Sequence, residues 1–90
     1  AKEMGKYLLA RLNELKSRFA FISAVRGKGL LAALQFDKDI APQVVTNGNQ
    51  AGILLNGVKP NAIRFMPPLT VTAAEIDEGL GRLEQALKKI

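Results

Sequence analysis

Arg64 lies in the middle of a short apolar segment, residues 61–69, that closes with a pair of prolines. A β-strand places successive side chains on opposite faces, so Ile63 and Phe65 are expected to face a core while Arg64 faces away from it. The guanidinium group is a planar fork of hydrogen-bond donors that is always charged, which suits a carboxylate or a phosphate. The proline pair cannot continue a sheet ladder, so the strand is predicted to end just beyond the arginine. The pattern leaves two interpretations of Arg64 open, a solvated edge-strand residue or an anion ligand.

The rest of the chain lacks the side chains on which most active sites depend. Its 90 residues include no histidine and no cysteine, which removes the commonest general base together with disulfide and thiolate chemistry. Ser17 and Ser23 therefore have no histidine to activate them. Asp37 and Asp39 precede a predicted helix and are interpreted as caps. No paired-carboxylate motif or metal-ligand spacing appears, so the sequence predicts no catalytic residue and no metal site.

A Gly-x-Gly segment, Arg26-Gly27-Lys28-Gly29, separates two strand-like runs at residues 21–25 and 30–36. Two glycines two positions apart allow a positive φ at low cost, so the segment forms either a tight hairpin or a bulged bend in one strand. A phosphate-cradling loop would need a third glycine and a following helix, and both are missing. We therefore interpret Arg26 and Lys28 as turn charges.

The elements that must position Arg64 follow from apolar spacing. Residues 2–19 have the period of an amphipathic helix, and a weaker helix is predicted within residues 37–52, with Pro42 in its first turn and Gly52 as its stop. Residues 53–56 are predicted to form a short strand that pairs, through a connection at 57–61, with the Arg64 strand. Thr72 and Glu75 match a capping box ahead of the last helix. The apolar stripe of that helix comprises Ile76, Leu80, Leu83, Leu87 and Ile90.

The predicted fold is a single α+β domain over residues 1–90, in the order α-β-(β)-α-β-β-α. It has a small antiparallel sheet of about three strands with amphipathic helices packed on one face. An apolar content of 48% and a charged content of 23% are typical of a globular chain and exclude a disordered one. No apolar run approaches the length of a membrane span, so no membrane partner is expected.

The net charge of +5 raises the question of nucleic-acid binding. The lysines and arginines are scattered along the chain, however, and the five aromatic residues show no base-stacking pattern. We interpret most of this charge as solvated faces and do not expect a nucleic-acid partner.

The order of motifs resembles the C-terminal part of the class III, pyridoxal-phosphate-dependent aminotransferases of the acetylornithine/ornithine type. The Arg-Gly-Lys-Gly-Leu and Ile-Arg-Phe-Met-Pro-Pro-Leu segments are specific to this family in combination and in this order. The resemblance covers essentially the whole chain. It rests on residues 5–8, 25–31, 51–56, 61–69 and 70–77.

The resemblance implies that the chain is the small C-terminal domain of a fold-type-I enzyme. In such an enzyme Arg64 would be a substrate-carboxylate ligand for an amino acid or a 2-oxo acid. It also implies a large cofactor-binding domain, a homo-oligomer, a cytoplasmic location and a role in arginine biosynthesis. The Schiff-base lysine, the aspartate that faces the pyridine nitrogen and the phosphate-binding residues of the family have no matching motif here. We therefore expect no pyridoxal phosphate on this chain alone, and no activity from it.

Two other functions remain open from the residues themselves. The chain could be a stand-alone module that binds anionic partners through its charge, with an affinity that falls steeply as salt rises. Alternatively, the stripe of the last helix could serve self-association, provided that it is not buried within the chain.

Overall fold

The computed structural model of the protein describes residues 2–53, 55–68 and 70–90. Leu54 and Leu69, which fall in two of the predicted motifs, lie outside the described residues. The described elements are three helices and four strands: α1 (Lys2–Arg18), β1 (Ile22–Lys28), β2 (Leu31–Phe36), α2 (Ala41–Ala51), β3 (Asn56–Lys59), β4 (Ala62–Phe65) and α3 (Ala73–Lys88). The α+β class and the order of elements are confirmed. The described sheet has four strands where about three were expected, because β1 and β2 are separate strands.

The sheet is antiparallel throughout, with the strand order β1-β2-β4-β3. The connection between β1 and β2 is a tight hairpin, which decides between the two alternatives for the Gly-x-Gly segment. Gly29 has a φ of +59°, a conformation that glycine adopts without steric cost. The β2 and β4 strands pair at the centre of the sheet, so the Arg64 strand is flanked by a neighbour on each side.

The core lies between one face of the sheet and the three helices. Ile63, Leu34 and Phe36 project from the strands into it and are almost completely buried. The helices contribute their apolar stripes to the same cluster, as the 3.6-residue period predicts. The buried stripe residues of α1 and α3 are Leu8, Leu12, Leu15, Ile76, Leu80, Leu83 and Leu87. The last helix therefore has its stripe occupied within the chain, which removes the basis for self-association through it.

The prediction that Asp37 or Asp39 caps α2 is wrong. The N-cap residue is Ile40, whose side chain makes no capping hydrogen bond. The first free backbone N–H of the helix, on Ala41, instead donates to the carbonyl oxygen of Pro60 at 2.9 Å. A side-chain cap is unnecessary because the β3–β4 turn supplies the acceptor. The helix ends as predicted at Gly52, which has a φ of +88°.

The strand predicted at residues 53–56 begins only at Asn56, and Gly57 to Lys59, predicted as a connection, are part of it. Ile53 is held elsewhere, because its N–H donates to the carbonyl oxygen of Gly48 at the end of α2, at 2.8 Å. Leu55 is buried in the core ahead of the strand. Leu55 thus packs in the core without belonging to the strand, and the β3–β4 connection shortens to Pro60 and Asn61.

Helix α3 begins at the predicted capping box, in which the Thr72 hydroxyl accepts from the Glu75 N–H and the Glu75 carboxylate accepts from the Thr72 N–H. Ile90 lies beyond the helix and is 43% exposed, so its predicted place in the buried stripe is wrong.

Polar side chains connect α3 to α1. The Tyr7 hydroxyl and the Arg11 guanidinium both donate hydrogen bonds to the Asp77 carboxylate. The hydrogen bond to Tyr7 and the charge of Asp77 raise the pKa of Arg11 above its ordinary value.

Two glycine-to-alanine substitutions are expected to have opposite effects on stability. A Cβ at Gly5 would overlap the carbonyl oxygen of Gly29 where α1 crosses the β1–β2 hairpin. Gly5→Ala is therefore expected to lower the free energy of unfolding by about 1–3 kcal/mol. Gly81 lies within α3 with open space around it, so Gly81→Ala should raise that free energy by about 0.5–1 kcal/mol. Urea unfolding of both variants checks this, and a Gly5→Ala chain as stable as the parent would contradict it.

Candidate anion-binding site

Arg64 occupies the position that the strand alternation predicts. It lies in β4 directly after Ile63, which is completely buried, and its own side chain is exposed on the opposite face. The strand ends at Phe65, one residue after the arginine, as the proline pair predicts. The backbone of Arg64 is paired with Ala33 of β2 on one side and with Asn56 of β3 on the other. The side chain therefore projects from a backbone that is held from both sides.

The register brings a second arginine to the same row of the sheet. Ala33 pairs with Arg64 on one side and with Arg26 of β1 on the other. Residues directly opposite each other in neighbouring strands share a face, so Arg26 and Arg64 both project from the open face of the sheet. Their Cα atoms are two strand spacings apart, about 10 Å. Only the methyl group of Ala33 lies between them.

All charged side chains of the strands are positive. The four strands contain Arg26, Lys28, Lys59 and Arg64 and not one aspartate or glutamate. Lys28 is two residues from Arg26, and Lys59 pairs with Ala62, which is two residues from Arg64, so all four cations share the open face. Their proximity creates a local positive potential that attracts anions.

The acidic residues of the chain do not neutralise this face. The five ion pairs found among the described residues all lie within α1, within α3 or between these two helices. These helices lie on the other side of the sheet. Because none of the five pairs includes a strand residue, the described part of the chain supplies no carboxylate that competes with a ligand for Arg64.

Three of these four cations are not predicted as site residues by the sequence pattern. It indicates turn charges for Arg26 and Lys28 and a connection for Lys59, whereas all three lie in strands. The spacing of two between Arg26 and Lys28 is the period of a strand face and was the available signal. The strands extend further than their apolar runs indicate, because β1 continues through Gly27, the first glycine of the Gly-x-Gly segment.

The open face forms a shallow groove of about 430 Å³. The four cations line it together with two exposed apolar side chains, Leu31 and Val58, and no acidic residue contributes to its walls. Such a groove can bind and orient an anion that carries an apolar part. It contains no general base and no nucleophile with a partner, and no group of three metal-ligating side chains occurs among the described residues.

No helix within the described ranges has both the length and the apolar character needed to cross a bilayer.

Comparison with known proteins identifies the family. A profile of the family "Aminotransferase class-III" matches residues 1–87. The chain belongs to the class III aminotransferases. The acetylornithine aminotransferase of Ralstonia nicotianae is 47% identical in an alignment of 90 positions that covers 97% of this chain and 22% of that protein. The leucine/methionine racemase of Thermococcus litoralis is 32% identical, over all of this chain and 22% of that protein.

Solved structures of class III aminotransferases have the same fold. The lysine aminotransferase of M. tuberculosis, in its internal aldimine form, superimposes with a TM-score of 0.91 at 32% identity. The match covers 98% of this chain and 21% of that one. The chain thus spans about a fifth of the length of the relatives and structures that it matches.

Class III aminotransferases use pyridoxal phosphate, but the groove does not have the features of a site for it. The cofactor needs a lysine amine, a carboxylate or arginine at the pyridine nitrogen and a cradle for its phosphate. Lys28, Lys59 and two arginines line the groove, but a cradle for the phosphate is missing from it. The Gly-x-Gly segment does not form a strand-to-helix phosphate loop, because Gly29 leads into the strand β2. We therefore derive no step through the cofactor on this chain.

Arg64 and its neighbour Ile63 are expected to differ sharply in their contribution to stability. Arg64→Ala should change the free energy of unfolding by less than about 0.5 kcal/mol, since the side chain is exposed and belongs to none of the observed ion pairs. Ile63→Ala removes a completely buried side chain and should cost about 2–5 kcal/mol. Thermal unfolding of the two variants measures this difference. A large loss in the Arg64 variant would mean that the arginine is a structural residue.

Proposed function

We propose that residues 1–90 form the small C-terminal domain of a pyridoxal-phosphate-dependent aminotransferase of the acetylornithine/ornithine type, in which Arg64 binds the substrate carboxylate. The observation that carries the proposal is the position of Arg64, exposed on a rigid strand in a cationic groove that contains no acidic residue. Acetylornithine aminotransferases and a succinylornithine transaminase are among the relatives, which supports a substrate of this class.

The chemistry assigned to Arg64 is recognition. A carboxylate accepts two parallel N–H bonds from a guanidinium group, which fixes both its distance and its orientation. Fixing one end of an amino acid or a 2-oxo acid limits the positions that its reacting carbon can take, and this lowers the entropic barrier of the reaction. The three neighbouring cations add to the attraction for anionic substrates. Pyridoxal phosphate, bound by the remainder of such an enzyme, supplies the electron sink.

The partners in this proposal are the large cofactor-binding domain of the same polypeptide and further copies of the enzyme. The small share of its relatives that the chain spans supports the first partner. A homodimer or higher homo-oligomer, a cytoplasmic location and a role in arginine biosynthesis are parts of the same proposal. These three rest on the resemblance to the family and on the names of the relatives.

Arg64→Ala in the full-length enzyme is expected to lower kcat/KM for carboxylate substrates by about ten- to a hundredfold, the effect of losing a charge-assisted hydrogen-bonded pair. Arg64→Lys should recover only part of this loss, because an ammonium group lacks the planar fork. Arg18→Ala is the matched control, since Arg18 is an exposed arginine of α1 that pairs with Glu84 outside the groove. Steady-state kinetics with the amino donor and with 2-oxoglutarate provide the measurement. Unchanged turnover and KM in the Arg64 variants would refute the role of this arginine.

The isolated 90-residue chain is expected to be inactive. It has no candidate for the cofactor lysine with its partners, so mixtures with pyridoxal phosphate, acetylornithine and 2-oxoglutarate should give no turnover above the cofactor alone. The full-length enzyme is the positive control. Turnover by the isolated chain would contradict the assignment of the catalytic residues to the remainder of the enzyme.

The cationic face also supports the second hypothesis, a stand-alone module that binds anions. Binding of the isolated chain to nucleic acid or to anionic vesicles, weakening steeply as salt rises, would favour that function. The family assignment and the position of Arg64 favour the aminotransferase.

A further inference from the structure

Two apolar side chains are exposed beside Arg64 in the same groove. Among the described residues four large hydrophobic side chains are exposed, and two of these, Leu31 at 41% and Val58 at 48%, line the groove. Met66 and Ile90 are also exposed, at 65% and 43%, but neither lines the groove. Single exposed hydrophobic residues are common and need no explanation. Here, however, two of the four exposed hydrophobic side chains line the same groove as Arg64, the proposed carboxylate ligand.

The sheet register brings Leu31 close to Arg64. Ala33 lies directly opposite the arginine, and Leu31 is two residues before Ala33 on the same face of β2. This makes Leu31 a diagonal neighbour of Arg64, about 7–8 Å away and within reach of a long side chain. The other diagonal neighbour on β2 is Gln35, which is polar. Arg64 therefore has an apolar neighbour on one side and a polar neighbour on the other.

The space between these side chains is open because Ala33 is small. A ligand whose carboxylate lies on Arg64 can extend over Ala33, and its chain then contacts either Leu31 or Gln35. Contact with Leu31 removes apolar surface of both partners from water, whereas an alkyl chain against Gln35 gains less. The geometry favours a ligand that carries an aliphatic chain next to its carboxylate.

We propose that Leu31 is a specificity-determining residue that contacts the aliphatic chain of the substrate while Arg64 holds its carboxylate. The inference rests on the proposed role of Arg64 and adds to it the class of substrate that the groove prefers. Leu31 supplies no chemistry in this proposal. It acts by making each additional methylene group of the substrate more favourable to bind.

The test is a chain-length series in the full-length enzyme, with 2-oxobutyrate, 2-oxopentanoate and 2-oxohexanoate as amino acceptors. One buried methylene group corresponds to about a fourfold gain in kcat/KM, so the parent enzyme should show a rise approaching this value at each step. Leu31→Ala should reduce the rise to less than about twofold per step, because the apolar wall is lost. Leu31→Asn keeps most of the side-chain bulk but not its apolar surface, and it should also reduce the rise in kcat/KM to less than about twofold per step.

Ile90→Ala is the matched control, since Ile90 is exposed to a similar degree but lies outside the groove, and it should retain the parent slope. Arg64→Ala should lower kcat/KM for every member of the series by the same factor. A parent slope that survives both Leu31 substitutions, or a parent enzyme with no slope, would overturn the inference and leave the role of Arg64 intact. A slope that depends on Leu31 together with normal rates in Arg64→Ala would instead overturn the carboxylate site.

Discussion

Burial of Ile63 against the helices determines where Arg64 points. Consecutive strand residues face opposite sides, so the residue after a core isoleucine must project from the open face. Leu34, which pairs with Ile63, is also completely buried, and a slip of β4 by one residue against β2 would expose Ile63 and bury the arginine. The position of Arg64 is thus set by the hydrophobic effect on its neighbours and not by contacts of its own. This is why the Arg64 side chain can be exposed and still be accurately placed.

The separation of charge between the two layers follows from the same arrangement. The helices carry the ion pairs and neutralise one another, while the strands contribute only cations to the open face. Exposed ion pairs such as Arg18–Glu84 contribute little to stability. Their distribution nevertheless matters for binding, because it leaves the strand cations free of nearby carboxylates. The positive potential of the open face thus depends on where carboxylates are absent as much as on where cations are present.

An open sheet face with cations and exposed apolar side chains is suited to a second contact. Antiparallel sheets can have one face in water, but such faces are usually polar throughout, whereas this one exposes Leu31 and Val58. In the proposed enzyme the groove would be closed by the remainder of the polypeptide, with the substrate between the two. The chain supplies recognition in this arrangement, and the cofactor chemistry comes from the other side.

The sequence alone determined the α+β class, the helices α1 and α3, the capping box at Thr72, the direction of Arg64 and the resemblance to its family. Each of these features depends on residues that are close together in the chain, so the local pattern of residue types is enough to predict it. Tertiary structure decided the rest. The cap of α2 comes from the Pro60 carbonyl, Leu55 packs in the core ahead of β3 and not within it, and the cations from three different strands meet only through their pairing register. Such contacts join residues far apart in the chain, and local spacing contains no information on which strands will lie side by side.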